Sequence, residues 1–254
     1  VMENYRNELN MFMERYNYFG MWWRKINPSL FFSVCMSSCI EKAMDVSEGG
    51  AVYNTDNFAA TGIGTVIDSL YAIKTAVYER KIVTMSELRD AMKKNFKGKE
   101  VLQQYLLHKI PKFGRDEEVN IFGRKVMYDL SMRLGGKSNY RGGYFEPSLF
   151  AFYSYDWFKD TTQASADGRK CGNDLSRGVN PGESTENIDI ATLLYTIKDL
   201  DFTEFPGGAV TYMDIPITYK DTETQLFANI IRSFCENGGS VMDFNVVNLS
   251  LIHI

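Results

Sequence analysis

The chain has 254 residues, of which 44% are apolar and 24% are charged, so it has the composition of a globular protein with a sizeable core. Its 28 Lys plus Arg and 32 Asp plus Glu give a formal charge of −4, and no basic run is long enough to follow a phosphate backbone, which argues against nucleic acid as a partner. Without a long apolar run or a signal-peptide pattern, neither membrane insertion nor export is expected, and we predict a soluble cytoplasmic protein.

The first predicted element is an amphipathic helix at the N-terminus. Apolar residues recur there at roughly helical spacing, with no capping residue before them: Val1, Tyr5, Leu9, Met13 and Tyr16. At the other end, the chain stops shortly after a predicted buried strand, Val241 to Val247. We therefore expect a fragment, consisting of a single partial domain over residues 1–254.

The cysteines follow next along the chain, and they do not indicate a disulfide framework in a protein of this size. Cys35 and Cys39 have the spacing of two ligands of an iron–sulfur cluster, but position 42 is a lysine, so a third ligand is missing. His108 and His253 are isolated in sequence, which argues against a zinc site and against a Cys-His or Ser-His-Asp site. We interpret Cys35 and Cys39 as buried structural thiols.

The strongest helical pattern runs from Thr61 to Tyr78, where an apolar stripe recurs and Asp68 lies outside it. Gly62-Ile-Gly64 at its start is similar to part of a dinucleotide-binding fingerprint, but Ile67 stands where the third glycine is needed and no clear strand precedes it. We interpret the two glycines as a helix entry that allows close packing.

Further elements follow from local signals. Thr84-Met-Ser-Glu87 is a capping-box pattern that predicts a helix from Thr84 to about Phe96. More helices are predicted at 100–108, 116–134, 187–199 and 222–236, and strands at 148–155, 209–217 and 239–247. Long helices between short apolar strands predict an α/β fold.

The longest stretch without periodicity, Asp160 to Glu186, is predicted to be an ordered loop, because its composition is varied. Within it, Asp167-Gly-Arg169-Lys170 combines a tight turn with a guanidinium whose rigid fork suits carboxylates or backbone carbonyls. The residues alone leave two interpretations open, an ordered turn or a ligand-binding Arg169.

Eight short motifs resemble consecutive signatures of glycyl radical enzymes, the pyruvate formate-lyase and glycerol dehydratase superfamily. In chain order they are Cys39-Ile-Glu, Gly49-Gly-Ala-Val-Tyr53-Asn54, Asp68-Ser-Leu-Tyr-Ala-Ile-Lys74, Lys112-Phe-Gly-Arg-Asp116, Asp167-Gly-Arg169, Gly178-Val-Asn-Pro181, Gly238-Gly239 and Phe244-Asn-Val-Val247. The second and third motifs are most similar to the glycerol dehydratase branch. Ala166, Arg115 and Asp243 depart from the family pattern, which indicates a divergent branch.

The resemblance implies that the chain forms part of the C-terminal half of a ten-stranded α/β barrel surrounded by helices, which encloses a buried site. It implies a parent enzyme that acts on a small polar substrate through glycyl and thiyl radicals, as a dehydratase, a C–C lyase or a formate acetyltransferase-like enzyme. A radical S-adenosylmethionine activating enzyme and a second copy of the parent are the implied partners. The alternative is a non-catalytic relative that acts as a binding or interaction module.

The same resemblance limits which residues can be assigned. None of the cysteines matches the radical position and the radical glycine lies outside the chain, so no catalytic residue, no metal ligand and no cofactor bound by this chain is assigned. The resemblance places Val210 to Ile215 on the barrel wall with alternate side chains facing the pocket. Either Thr211 and Met213 or Tyr212 and Asp214 face inward, while Asp167 and Arg169 are expected to be structural loop residues.

Overall fold

The computed structural model of the chain describes residues 2–182, 189–216 and 221–247. The chain forms two compact units, the first made of residues 1–58 and 129–148 and the second of residues 59–128 and 149–254. The single partial domain over 1–254 stays a prediction.

Helices predominate in the described residues. The α-helices are α1 (Met2–Ile26), α2 (Leu30–Ser33), α3 (Cys39–Lys42), α4 (Ile63–Ala72), α5 (Met85–Lys93), α6 (Glu100–His108), α7 (Glu117–Leu134), α8 (Ser154–Trp157), α9 (Ile190–Ile197) and α10 (Asp221–Glu236). A π-helix, Ile73–Glu79, continues α4, and short 3-10 helices lie at Val46–Glu48 and Phe202–Glu204.

The strands are β1 (Asp56–Ala59), β2 (Phe145–Ser148), β3 (Val210–Pro216) and β4 (Val241–Val247). Among the described residues they form two separate pairs, β1 with β2 and β3 with β4. The second pair is parallel, with Val210 opposite Val241 and Asp214 opposite Asn245. The predicted combination of helices and strands is confirmed, while the ten-stranded barrel stays a prediction.

In the first unit, the predicted N-terminal amphipathic helix is confirmed as α1. Tyr16 on this helix packs its ring edge-on against Phe58 and Phe145, with centroids 5.5 and 5.7 Å away. Its hydroxyl donates a hydrogen bond to Asp56 at 3.0 Å, so the apolar side of α1 is tied to the β1–β2 pair by both packing and a polar contact.

The segment after α1 is organised around Asp45. Its carboxylate accepts hydrogen bonds from the hydroxyl of Ser33 (2.6 Å), the backbone N–H of Ser29 and the backbone N–H of Ser47. Burial alone would raise the pKa of Asp45, but these donors outweigh it and hold the pKa at about 2. Nearby, Cys39 is buried as predicted, whereas Cys35 is exposed on the turn after α2, so the prediction is wrong for Cys35.

In the second unit, the helix predicted from Thr61 to Tyr78 is present as α4 and its π-helical continuation. Ile67 on its apolar stripe is completely buried, whereas Val66 of the same stripe is exposed. The capping box before α5 is confirmed: the Thr84 hydroxyl accepts the N–H of Glu87, and the Glu87 carboxylate accepts the N–H of Thr84.

The strand predicted at 148–155 is wrong. Strand β2 ends at Ser148, and the chain turns before α8 begins at Ser154. Phe152 has φ +46°, a left-handed conformation that a strand cannot contain. The strands predicted at 209–217 and 239–247 are present as β3 and β4.

Candidate functional site

Strand β3 carries the four residues predicted as candidates for the substrate pocket. Thr211 and Met213 are completely buried, whereas Tyr212 is half-buried and the Asp214 side chain is 46% exposed. Since side chains alternate along a strand, the two pairs lie on opposite faces. The two pairs therefore differ in exposure, with Tyr212 and Asp214 on the more accessible face, and which pair faces the pocket stays a prediction.

Strand β4 pairs with β3 and continues both of its faces. Its register places Phe244 beside Met213, and the Phe244 ring lies 4.6 Å from the ring of Phe227 on α10, so a helix covers that face. Asp243 and Asn245, beside Tyr212 and Asp214, are exposed on the other face. We call the surface formed by Tyr212, Asp214, Asp243 and Asn245 the open face. The prediction that β4 is a buried strand is therefore wrong for this side.

Asp214 is the most highly coordinated charge on the open face. The guanidinium of Arg177 donates to its carboxylate at 3.0 Å, and the side-chain amide of Asn245 donates at 3.1 Å. Burial would raise the pKa of Asp214, but these two donors outweigh it, so the pKa is lowered. Asp214 is thus an oriented carboxylate at neutral pH, held in place from two sides.

Tyr212 is held at both its backbone and its side chain. The amide oxygen of Asn180 accepts the backbone N–H of Tyr212 at 3.0 Å, and the amide nitrogen of Asn180 donates to its carbonyl at 2.8 Å. The hydroxyl oxygen of Tyr212 accepts the backbone N–H of Phe152 at 3.1 Å. Asn180 therefore supplies the hydrogen bonds that a neighbouring strand would make at this position.

Gly178 explains why the Gly178-Val-Asn-Pro181 motif can approach β3 so closely. It has φ +49°, and an added Cβ would overlap the carbonyl oxygen of Val210. The N–H of Val179 donates to that same carbonyl at 2.9 Å. A side chain at position 178 would push the motif away from the strand, so glycine is required here.

Two more motifs converge on Asn180 and Pro181. An added Cβ at Gly64 would overlap the carbonyl oxygen of Asn180, and one at Gly114 would overlap the ring of Pro181. The interpretation of Gly62 and Gly64 as a close-packing helix entry agrees with this geometry. Because Gly64 and Gly114 have no side chains, segments that are far apart in sequence can pack closely here.

Arg169 is completely buried in the long loop. Its guanidinium donates to the backbone carbonyls of Lys170 (2.9 Å), Asn173 (2.7 Å), Thr162 (3.1 Å) and Gln163 (2.6 Å), and to the hydroxyl of Ser165. These contacts engage every nitrogen of the fork with the same loop. They favour the ordered turn over a ligand-binding Arg169.

Asp167 ties this loop to neighbouring motifs. Its carboxylate accepts the backbone N–H of Arg169 at 3.3 Å, and its carbonyl accepts a hydrogen bond from the ammonium of Lys112 at 3.0 Å. Gln103 of α6 reaches the same turn by donating to the carbonyl of Gly168 at 3.0 Å. Asp167 and Arg169 therefore lie in the interior of the unit.

Asp68 is a buried charge to which the sequence assigned no role. The helical pattern placed it outside the apolar stripe, yet it is only 1% exposed and accepts the N–H of Phe113 at 2.7 Å. Burial raises its pKa to about 7, against the opposing effects of Lys112 and the Phe113 hydrogen bond. Its spacing of four from Gly64 and three from Tyr71, both buried, was the signal that could have identified it.

The described residues also set limits on other sites. No three His, Cys, Asp or Glu side chains lie close enough together there to hold a metal ion. His108 is exposed at the end of α6, and His253 lies outside the described residues. In the described part of the chain, no helix combines the length and apolar character that crossing a lipid bilayer requires.

Comparison with known proteins identifies a family. The model of the pyruvate formate lyase-like family matches residues 1–159. The trans-4-hydroxy-L-proline dehydratase of Clostridioides difficile is 26% identical over 230 residues, which cover 89% of this chain and 29% of that protein. The isethionate sulfite-lyase of Nitratidesulfovibrio vulgaris is 30% identical over 226 residues, 87% of this chain and 27% of that protein.

A solved structure shows the same relationship in three dimensions. The crystal structure of a glycyl radical enzyme from Archaeoglobus fulgidus superposes with a TM-score of 0.85 at 28% identity, covering 96% of this chain and 31% of that one. The chain thus spans less than a third of the length of these relatives.

Proposed function

The chain belongs to the pyruvate formate lyase-like family of glycyl radical enzymes, and from this we propose that its full-length parent is a radical dehydratase or lyase for a small polar substrate. The two curated relatives are named for trans-4-hydroxy-L-proline and isethionate, and both are small polar molecules. In this proposal, residues 1–254 contribute scaffold and one part of the wall of the substrate cavity.

The observation that carries the proposal is the open face of β3 and β4. It presents a hydroxyl, two carboxylates and an amide on rigid strands, and Asp214 is oriented by Arg177 and Asn245. Fixed polar groups of this kind can orient a small polar molecule without rearranging when it binds. We therefore propose that Tyr212 and Asp214 face the substrate cavity, while Thr211 and Met213 face the helices.

The chain's own residues fit substrate binding and not radical transfer. Cys35 and Cys39 belong to the first unit, Cys171 lies in the long loop, and Cys235 lies on α10, so none is on the open face. A glycyl radical, installed in the parent by a radical S-adenosylmethionine activating enzyme, would supply hydrogen-abstraction chemistry from residues outside this chain. The chain alone is expected to be inactive, and the parent is expected to be a homodimer.

The test is to express the full-length parent anaerobically with its activating enzyme. We expect a glycyl radical signal in electron paramagnetic resonance and conversion of at least one substrate in a panel of small diols, hydroxy acids, sulfonates and amines. Asp214→Asn should lower kcat/KM by about tenfold, because an oriented charge contact contributes roughly 1.5 kcal/mol. Thr211→Val, on the opposite face, should leave kcat/KM within about twofold.

Two outcomes would contradict the proposal. A parent that folds and binds small molecules but never acquires the radical would indicate the non-catalytic relative instead. An active parent in which Thr211→Val impairs turnover more than Asp214→Asn would assign the cavity to the other face of β3.

A further inference from the structure

The turn after β2 begins at the edge of β3. Leu149 forms a parallel bridge with Ala209, with its N–H donating to Gly208 at 2.9 Å and its carbonyl accepting from Val210 at 3.2 Å. The chain then leaves the strand edge and turns through residues 151–153 before α8. We call residues 150–153 the aromatic turn, because three of the four are Phe or Tyr. The aromatic turn therefore starts beside the first residues of β3.

The aromatic turn contains a strained residue. Phe152 has φ +46°, which a bulky side chain disfavours, and such residues persist only where their surroundings hold them. Phe152 is 65% exposed and Tyr153 is 68% exposed, and the Phe150 ring lies 4.2 Å from the Phe152 ring. The left-handed backbone at Phe152 thus places two exposed aromatic residues, Phe152 and Tyr153, on the surface of the turn.

Tyr212 supplies a hydrogen bond from outside the turn to this backbone, beside the turn's own bonds from Ser154 to Ala151 and from Asp156 to Tyr153. The Tyr212 hydroxyl oxygen accepts the N–H of Phe152 at 3.1 Å. Burial raises the pKa of Tyr212, as does Asp243, against the lowering effect of the Phe152 N–H, so the phenol stays protonated at neutral pH. A neutral hydroxyl can accept this bond and still has a proton to donate.

Tyr212 is in turn fixed at its main chain. Both backbone groups of Tyr212 are paired with the side chain of Asn180, which is 1% exposed. The ring passes close to Gly178, where an added Cβ would lie 3.0 Å from the ring edge. The position of the Tyr212 hydroxyl is thus fixed by β3, Asn180 and Gly178.

We propose that Tyr212 is a positioning residue in the parent enzyme, whose hydroxyl holds the aromatic turn so that its rings form a shape-selective wall beside the open face. This inference rests on the proposed function, because a substrate wall requires a substrate bound at the open face. A small substrate with a compact hydrocarbon part would contact the rings, while its polar groups would meet the carboxylates of the open face.

The experiment uses the full-length parent and the variant Tyr212→Phe, which removes only the hydroxyl. The matched control is Tyr195→Phe, which removes a hydroxyl that donates to Glu117 at 2.7 Å. In Tyr212→Phe we expect amide exchange of a peptide covering 150–153 to rise, and KM to rise about fivefold with kcat within about twofold, since one hydrogen bond is worth about 1 kcal/mol. The ranking of substrates by size should also change.

Tyr195→Phe should change none of these quantities, and the glycyl radical yield should be the same in all three proteins. If exchange at 150–153 rises but KM and the substrate ranking do not change, the turn is not a substrate wall and the proposal is wrong. If exchange is unchanged, Tyr212 does not position the turn. If the wild type never forms a radical, the proposed function fails, and the exchange result still reports on the contact.

Discussion

Asn180 and Tyr212 are paired as two strands would be, although only one of them lies in a strand. The carboxamide of Asn180 meets the N–H and the carbonyl of Tyr212 at 3.0 and 2.8 Å. Unpaired backbone groups at a buried strand edge cost free energy and invite non-native pairing. A single side chain therefore completes the edge of β3 where no further strand is present in the described residues.

Replacing Asn180 with Ala should lower the free energy of unfolding by about 2 to 4 kcal/mol, because both backbone groups of Tyr212 lose their partners while buried. Urea unfolding measures this loss. Asn229→Ala is a suitable control, since it removes an exposed amide that accepts a hydrogen bond from Gln225 on α10. The control should cost less than about 0.5 kcal/mol. Equal losses in both variants would contradict the strand-like role of Asn180.

Replacing Arg169 with Lys should destabilise the long loop, because an ammonium cannot reach the four carbonyls that the guanidinium fork reaches. We expect a loss of about 3 kcal/mol in unfolding free energy and faster proteolytic cleavage within residues 160–182. Lys170→Ala is the matched control, because it removes the Lys170 side chain but keeps the backbone carbonyl that Arg169 contacts. If Arg169→Lys is as resistant to protease as the wild type, the guanidinium does not order the loop.

Replacing Gly64 with Ala should destabilise the protein, although a change from glycine to alanine within a helix usually stabilises it. In an exposed helix the change adds about 1 kcal/mol of stability, but here the new methyl group would overlap the carbonyl oxygen of Asn180. A loss of about 1 to 3 kcal/mol is expected in thermal or urea unfolding. Val66→Ala, at an exposed position of α4, should cost less than about 1 kcal/mol. A gain in stability for Gly64→Ala would show that the motifs can separate without penalty.

The buried Asp68 should make stability depend on pH. Its pKa is about 7 in the folded chain against an ordinary value of 3.8, so between these values the folded state holds a proton that the unfolded state has lost. This contribution is complete below about pH 4 and disappears as the pH rises to about 7. Since one pKa unit corresponds to about 1.4 kcal/mol, the change is on the order of 4 kcal/mol.

Asp68→Asn should remove that dependence, because the amide oxygen still accepts the N–H of Phe113 but does not titrate. The stability advantage of the wild type over the variant should therefore shrink between about pH 4 and pH 7. Urea unfolding at several pH values measures this difference in stability, with Asp90→Asn on the surface of α5 as the control. A constant difference across this range would mean that Asp68 does not titrate there.

Local signals predicted the elements whose causes are local. The helix at 100–108 was predicted with the bounds that α6 has, and the Thr84 capping box is present as two reciprocal hydrogen bonds. The apolar period of 61–78 also predicted a helix correctly. It did not predict the π-helical turns from Ile73 to Glu79, since nothing in the period distinguishes them from α-helix.

Elements that depend on distant partners were missed or misplaced. Strand β1 has four residues and pairs with β2 far along the chain, so no periodic signal marks it. At the site, the resemblance placed β3 on a barrel wall and left open which side chains face the pocket, because the burial of Thr211 and the partial exposure of Tyr212 depend on elements elsewhere in the chain. The partners of Asn180 and Asp68 lie 32 and 45 positions away, beyond any short-range pattern.

The strict alternation along β3 makes the length of this strand as important as its composition. Deleting one residue between Val210 and Asp214 would bring Met213 or Thr211 to the accessible side and force a carboxylate against the helices. Because β4 is held in parallel register over the same seven residues, the neighbouring strand could not follow such a slip without breaking its own ladder. Insertions and deletions should therefore be excluded from this strand, even where single substitutions are accepted.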